Sequence, residues 1–182
     1  MLVFISEKER LLMFLELRNL YIDQLEAGKI TKKEFNHKNF MIFRKLSLKP
    51  FSVLDSFEKA MYNYNYYNSQ AKIELEEYNK AKDFNNQKRA KFHLNNKENY
   101  YNLKDIATEA IIELEGFDNI ESYFIKLHSK NLGTNIFEIN IKNRKRAIFH
   151  SKSYKILNLL KNNNVFINEV RDSIIDSYVN NS

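Results

Sequence analysis

The sequence contains no cysteine, only three glycines and one proline in 182 residues. Without cysteine the chain can form neither disulfide bonds nor thiolate-ligated zinc sites, and it has no thiol nucleophile. So few glycines leave little material for Gly-rich phosphate loops, and one proline leaves none for a Pro-rich linker. With 43% hydrophobic residues, a chain of this length can fold around an ordinary apolar core.

Long apolar segments are also missing. The longest apolar runs, at 2–5 and 11–15, are far shorter than the ~20 residues that cross a bilayer. The N-terminal residues lack the basic stretch and small-residue cleavage site of a signal peptide. We therefore expect a cytoplasmic protein with no membrane partner, and we predict no cofactor and no metal.

The positive charge is concentrated in one segment. The formal net charge of the whole chain is +6, and residues 121–155 alone hold eight bases and two acids. The remaining residues hold 21 bases and 21 acids and so contribute nothing to the net charge. A local excess of this kind favours an anionic partner. The eight bases, which are our predicted binding residues, are Lys126, Lys130, Lys142, Arg144, Lys145, Arg146, Lys152 and Lys155.

Two capping boxes predict the starts of two N-terminal helices. In a capping box, a Ser or Thr and a Glu three residues later satisfy each other's free backbone N–H groups. Ser6 with Glu9, and Thr31 with Glu34, have this spacing, and Gly28 is placed to end the first helix. The predicted helices are 7–27 and 32–46.

Two longer helices are predicted to follow as an antiparallel hairpin. Apolar residues recur three or four positions apart over 53–82 and again over 87–115, and 83–86 resembles a turn. Ser52 is the predicted N-cap of the first. Asn68 lies on the predicted seam, where we expect a buried and hydrogen-bonded amide.

Two groups of residues in this hairpin have a structural and a functional interpretation. The tyrosines of 62–67 could stack on nucleic-acid bases, but rings with a polar end are common between packed helices, and we favour packing. The acids Glu74, Glu76 and Glu77 could bind a metal. We expect them to be solvated, because no histidine lies three or four residues away.

Beyond Gly116 the apolar period changes from 3.6 to 2, which is typical of strands. Three strands of an antiparallel sheet are predicted, followed by two helices that cover it. Ser151 or Ser153 caps the first of these helices, and Asn168 caps the second. The predicted strands are 122–129, 136–142 and 147–150.

These elements together predict an α+β protein. Its mainly helical N-terminal part, 1–116, holds four helices including the long antiparallel hairpin. The three-stranded antiparallel sheet and its two C-terminal helices form a smaller β-β-β-α-α part at 117–182. We expect the two parts to pack as one unit.

A repeated tripeptide, His128-Ser-Lys130 and His150-Ser-Lys152, ends the first and third predicted strands. These strands are parallel to each other, so both histidines are expected at the same edge of the sheet. Two such histidines could act as acid and base on a phosphodiester. The pattern resembles the two-histidine phosphoesterases, which carry His-x-Ser or His-x-Thr in paired strands, although lysine replaces the hydroxyl residue here. The alternative is two surface histidines beside lysines.

The basic residues of 121–155 are expected to lie close together in the predicted fold. Lys126 and Lys142 are expected on the same sheet face, the bases of 144–146 lie in the next turn, and Lys152 and Lys155 begin a helix whose N-terminus favours anions. This order of helix, three strands and helix resembles a double-stranded RNA-binding domain. The alternative is a solvated basic face with no partner.

Three stretches are similar to a family of uncharacterised bacterial proteins, a domain of unknown function of similar length. They are Lys49-Pro-Phe through 57–68, Glu121-Ser-Tyr-Phe-Ile-Lys and Phe149-His-Ser-Lys-Ser. The resemblance covers nearly the whole chain and implies no activity.

We predict a non-enzymatic binding module, monomeric, that uses the surface of 121–155 to bind RNA, DNA or an acidic protein. One alternative is a His-dependent phosphodiesterase or ribonuclease. Another is a small phage-type inhibitor of a nucleic-acid-processing enzyme, although an inhibitor that mimicked nucleic acid would more often be acidic.

Overall fold

The structure, a computed structural model, divides the chain into two compact units, Met1–Ile111 and Ile112–Ser182. The boundary falls inside a helix, slightly before the predicted division at 116–117. That 1–116 and 117–182 pack as one unit stays a prediction. The residues described are 5–127, 135–142, 148–151, 153–163 and 167–170.

The first unit begins with two helices, α1 at Glu7–Glu26 and α2 at Lys32–Leu46, and both predicted capping boxes are confirmed. At the start of α1 the Glu9 N–H donates to Ser6 Oγ (3.2 Å), and the Ser6 N–H donates to the Glu9 carboxylate (2.8 Å). Gly28 follows α1 with a φ of 66°, a left-handed conformation that favours glycine.

The core of this unit is aromatic. Phe14 of α1 lies 5.0 Å from Tyr62 and 5.5 Å from Phe43 of α2, measured between ring centroids. Phe14 and Tyr62 are fully buried, and the Tyr62 hydroxyl donates to the Leu48 carbonyl (2.8 Å). Burial also raises the pKa of Tyr62. The packing interpretation of the tyrosines in 62–67 is therefore confirmed for Tyr62 and for Tyr64, which is buried as well.

The two long helices are α3 at Phe57–Asp83 and α4 at Gln87–Glu115. Their direction is antiparallel, because Glu77 contacts Arg89 while Tyr67, further back along α3, stacks on Tyr100. The predicted N-cap Ser52 is wrong. Ser56 caps α3, with its Oγ accepting from the Lys59 N–H (3.3 Å).

The buried amide of α3 is Asn63 rather than the predicted Asn68. Asn63 is almost fully buried, and its side chain bonds both backbone groups of Phe51: Oδ1 accepts from the N–H (2.9 Å) and Nδ2 donates to the carbonyl (2.8 Å). Asn68 is only half-buried. Asn63 therefore fastens the loop before α3 to the helix itself, which the 3–4 spacing of apolar residues did not indicate.

We expect Asn63→Ala to destabilise the protein by about 1–3 kcal/mol, since it leaves the backbone groups of Phe51 without their partners. Asn68→Ala is the matched control on the same helix. It should change the free energy of unfolding by less than about 0.5 kcal/mol. Urea denaturation of both variants measures the difference, and equal midpoints would contradict the role of Asn63.

A half-buried lysine of α3 joins this helix to α2. Lys72 Nζ donates to Asn36 Oδ1 (2.9 Å), and burial, with a smaller contribution from the nearby charge of Lys32, lowers the pKa of Lys72. The Lys72 amine therefore binds its proton more tightly in the unfolded chain than in the folded protein. The cost of keeping the charged ammonium half-buried is full at pH values below the lowered pKa of the folded state. It disappears as pH rises through the lowered pKa of the folded state towards the ordinary value of lysine.

Lys72→Met removes this titration. We expect the stability of the wild type relative to Lys72→Met to increase as pH rises from neutral towards about 10, the ordinary range of a lysine pKa. Groups common to both proteins cancel in the difference between their free energies of unfolding. A difference that stays constant or declines over this range would contradict the depressed pKa.

The face that α4 buries is only partly the one that the apolar spacing predicts. Of the apolar residues that recur over 87–115, Ala107 is buried, whereas Leu103 and Leu114 are partly exposed. The polar residues Lys104 and Thr108 are buried instead. The Lys104 ammonium lies over the Tyr101 ring at 4.9 Å, and the Thr108 hydroxyl donates to the Lys104 carbonyl (3.1 Å). A ring face can stabilise a lysine charge that would otherwise exclude the residue from a helix interface.

The described part of the second unit contains a four-stranded sheet. Its strands are β1 at Ile120–Leu127, β2 at Asn135–Ile141, β3 at Ile148–Ser151 and β4 at Ile167–Val170. Their order in the sheet is β3-β2-β1-β4. β2 pairs antiparallel with β1 and β3, and β4 is parallel to β1. One helix, α5 at Tyr154–Asn162, lies between β3 and β4 in the chain. The side chains of Ile139 and Ile141, and of Ile156, Leu157 and Leu160 on α5, are buried.

The predicted fold class, α+β with a three-stranded antiparallel sheet covered by two C-terminal helices, is wrong. The sheet has four strands rather than three, and β4 is parallel to β1, so the sheet is not purely antiparallel. The continuous segment 5–119 contains no strand, and helices hold most of the described residues, so the chain is mainly helical. Asn168, the predicted cap of the last helix, pairs with Phe124 as a residue of β4. Pairing with a neighbouring strand overrides a local cap signal at this position. The rest of that predicted helix lies outside the described residues.

Candidate functional site: the basic residues of 121–155

Two of the eight predicted binding residues have described side chains. Lys142 follows β2 and Lys155 lies in the first turn of α5, and both are exposed. Position 126 is described only as part of the backbone of β1. The other five, which lie outside the described residues, are Lys130, Arg144, Lys145, Arg146 and Lys152.

Lys142 is held at the start of β1. Its N–H donates to the Asn119 carbonyl (2.7 Å), and its Nζ donates to the Asp118 carbonyl (2.9 Å). Both acceptors in these bonds are neutral carbonyl groups, so neither bond cancels the lysine charge. Among the described contacts, the ammonium of this exposed residue is therefore held by a neutral group.

Lys155 belongs to a helix start that the sequence predicted. Ser153 is the N-cap of α5, and its Oγ accepts from the Ile156 N–H (3.5 Å), which confirms the second of the two proposed caps. The dipole of a helix makes its N-terminus favourable to negative charge. The positive charge of Lys155 and the N-terminus of α5 therefore both attract an anion.

The register separates positions 126 and 142. Residue 126 pairs with Ile136 near one end of β2, whereas Lys142 follows Ile141 at the other end, where Ile141 pairs with Ile120. Six residues along a strand span ~20 Å. One small anion cannot contact both positions, but a polymer with repeated charges can.

The two histidines are not shown to meet. His150 of β3 pairs with Glu138 of β2, and Glu138 pairs with Phe124 of β1. His150 is therefore level with Phe124, three residues before β1 ends at Leu127. The prediction that His150 lies level with the end of the first strand is wrong. His128 lies outside the described residues. The backbone gives no support to an acid–base pair.

A polar cluster between α3 and α4 was missed. His93 Nδ1 lies 2.6 Å from Glu74 Oε2, and Glu77 accepts from both Arg89 (2.7 Å) and Lys80 (2.6 Å). The prediction that these acids are simply solvated is therefore wrong for Glu74 and Glu77, since spacing along one helix cannot show partners on another. Within the described part of the chain, no three His, Asp or Glu side chains converge as a metal site.

These observations define a class of protein, a mainly helical chain with a segment of concentrated positive charge. The chain belongs to the DUF6648 family, a family of unknown function, which it matches over residues 4–182. No curated protein matches the chain, and no solved structure matches it. None of the helices in the described residues is both long and apolar enough to cross a membrane.

Proposed function

We propose that the chain is a non-enzymatic binding module whose segment 121–155 binds a polyanion, with nucleic acid as the first choice and an acidic protein as the second. The observation that carries this proposal is the confinement of the net charge of +6 to 35 residues of an otherwise neutral chain. Charge concentrated in this way attracts polyanions and speeds their association.

The described side chains support the same conclusion. Lys142 and Lys155 are exposed, and the bonds of Lys142 leave its charge uncancelled. The separation of positions 126 and 142 along the sheet favours an extended ligand over a single phosphate group. We include in the proposal a monomeric protein in the bacterial cytoplasm, from a family whose members are similar in length.

A capture experiment tests the proposal. The tagged protein is recovered from the source cell with and without nuclease treatment, and the bound material is analysed for RNA, DNA and protein. We expect nucleic acid in the untreated sample and its loss after nuclease treatment. Recovery of one protein, unchanged by nuclease, would point instead to the acidic-protein partner.

The binding proposal also predicts the absence of catalysis. We expect no cleavage of cyclic nucleotides or short RNA across a panel of substrates, because the register does not bring His150 to the end of β1. A bell-shaped dependence of cleavage rate on pH, abolished by His128→Ala and by His150→Ala, would contradict this prediction and support the phosphodiesterase.

A further inference from the structure

The turn between α3 and α4 is built to hold one conformation. The Asn86 N–H donates to the Ala81 carbonyl (2.8 Å) and the Asn85 N–H to the Lys82 carbonyl (2.9 Å), the two bonds of a Schellman motif. Asn85 has a φ of 53°, and asparagine tolerates this left-handed conformation better than most residues. Asn86 Oδ1 then accepts from the Arg89 N–H (3.0 Å) and caps α4.

This turn projects into solvent. The whole stretch 82–89 is exposed, and it is bounded by two buried alanines, Ala81 and Ala90, that anchor the ends of the helices. We call residues 80–92 the hairpin tip. Because its backbone groups are satisfied internally, the tip can present its side chains to a partner without first becoming ordered, which lowers the entropic cost of binding.

The hairpin tip exposes two aromatic rings. Phe84 is 83% exposed, the largest value among the large exposed hydrophobic residues described, and Phe92 is 59% exposed. The Phe92 ring forms a T-shaped pair with the ring of His93, with centroids 5.2 Å apart. Phenylalanine lacks a polar group that would gain from contact with water. Two such rings exposed near the end of one helical hairpin, Phe84 next to the turn and Phe92 on α4, are better explained by a partner than by the folding of this chain.

The surroundings of these rings are basic. Residues 78–92 contain five bases and a single acid, Asp83. Glu77 binds two of the bases, Lys80 and Arg89, which reduces the excess without removing it. The three other bases are exposed, and they are Lys82, Lys88 and Lys91. Their charge selects an anionic partner.

We propose that the hairpin tip binds single-stranded nucleic acid, with Phe84 and Phe92 stacking on bases and the lysines contacting phosphates. Aromatic rings among basic residues are the usual means of binding single strands without sequence specificity. In a duplex the base faces are covered, so the rings would have nothing to stack on. This surface lies in the first unit and does not depend on 121–155.

The polar residues of the tip argue against a membrane as the partner. Asn85, Asn86 and Gln87 lie between the two rings in the chain, and inserting the turn into lipid would strip water from their amide groups. The chain also lacks tryptophan, a characteristic residue of membrane interfaces. Against a base, the same amides remain hydrated or bond to the base edge.

The test compares binding of a labelled single-stranded RNA of ~12 nucleotides, within the usual range of site sizes, with binding of the matching duplex, by fluorescence anisotropy. We expect the double variant Phe84→Ala/Phe92→Ala to bind the single strand at least about tenfold more weakly, with little change for the duplex. Lys88→Glu/Lys91→Glu should weaken single-strand binding and reduce its salt dependence. Leu12→Ala/Leu20→Ala, which removes two exposed side chains of α1, is the control and should bind as the wild type does.

Three outcomes would overturn the proposal: unchanged single-strand affinity in the phenylalanine variant, an equal loss for the duplex, or ring-dependent binding to phosphatidylserine vesicles without an effect on RNA. Both rings are exposed, so the variant should fold, and circular dichroism checks this. Charge reversal at 144–146 separates the two surfaces. If that reversal leaves binding intact while the phenylalanine variant loses it, the tip proposal stands and the proposed role of 121–155 fails.

Discussion

Phe14→Ala is expected to lower the free energy of unfolding by about 3–5 kcal/mol. Phe14 is fully buried and packs against the rings of Phe43 and Tyr62, with centroid distances of 5.5 and 5.0 Å. Removing it opens a cavity at the point where α1, α2 and α3 meet. The two neighbouring rings lose edge and face contacts in addition to the apolar area.

This loss is large for a domain whose total stability is typically about 5–15 kcal/mol. Leu20→Ala, on the same helix, is the matched control because its side chain is 47% exposed. It should change stability by no more than about 0.5 kcal/mol. Urea denaturation measures both, and a midpoint for Phe14→Ala equal to that of Leu20→Ala would show that the aromatic core is not the main support of the first unit.

The second large effect is expected on binding. Reversing the charge of Arg144, Lys145 and Arg146 to Glu should weaken binding to nucleic acid by at least about a hundredfold at 0.1 M salt, since three phosphate contacts are lost and repulsion is added. These bases follow Lys142, which is exposed and whose ammonium donates to the neutral Asp118 carbonyl. The fold of the first unit should not change, because the altered residues are not part of it.

A control with the same change in net charge is available in the first unit. Lys29, Lys32 and Lys33 are all exposed, and their reversal to Glu also subtracts six charges. If total charge alone attracted the ligand, the two variants would bind equally weakly. If the 121–155 segment is the binding surface, the control should retain most of the wild-type affinity.

Local signals in the sequence predicted local structure well. Ser6 and Thr31 each carry their capping partner three residues away, and the helices begin where those pairs indicate. A cap needs nothing beyond the next turn of chain, so it can be identified from the sequence. Ser153 at the start of α5 is another case of this kind.

The predictions that were wrong concern residues whose environment is set by contacts with other parts of the chain. Lys104 is buried because Tyr101 and Tyr64 present their rings to its ammonium, and charge alone would place it outside. Glu74 meets His93 across the hairpin, a pairing that spacing along α3 cannot reveal. Asn168 matches a helix cap in the sequence but joins β4 through pairing with β1.

Of the two candidate sites, one is proposed from the sequence and the other only from the structure. The charge of 121–155 is visible by counting residues, so the sequence is enough to propose a binding role for this segment, although it does not predict the shape of the segment. The hairpin tip was missed because its bases are balanced by acids elsewhere in the chain. Only the exposure of Phe84 and Phe92 distinguishes the tip from an ordinary helical turn.

The salt dependence of binding tests the central claim most directly. The measurement is the slope of log K against log salt concentration for duplex DNA, for the wild type, the 144–146 reversal and the control at Lys29, Lys32 and Lys33. We expect the wild-type slope to be about −0.9 for each phosphate contacted, and the 144–146 reversal to be shallower by about three such contacts. The control should keep the wild-type slope. Equal slopes for all three proteins, or no binding by the wild type at low salt, would contradict a polyanion-binding surface at 121–155.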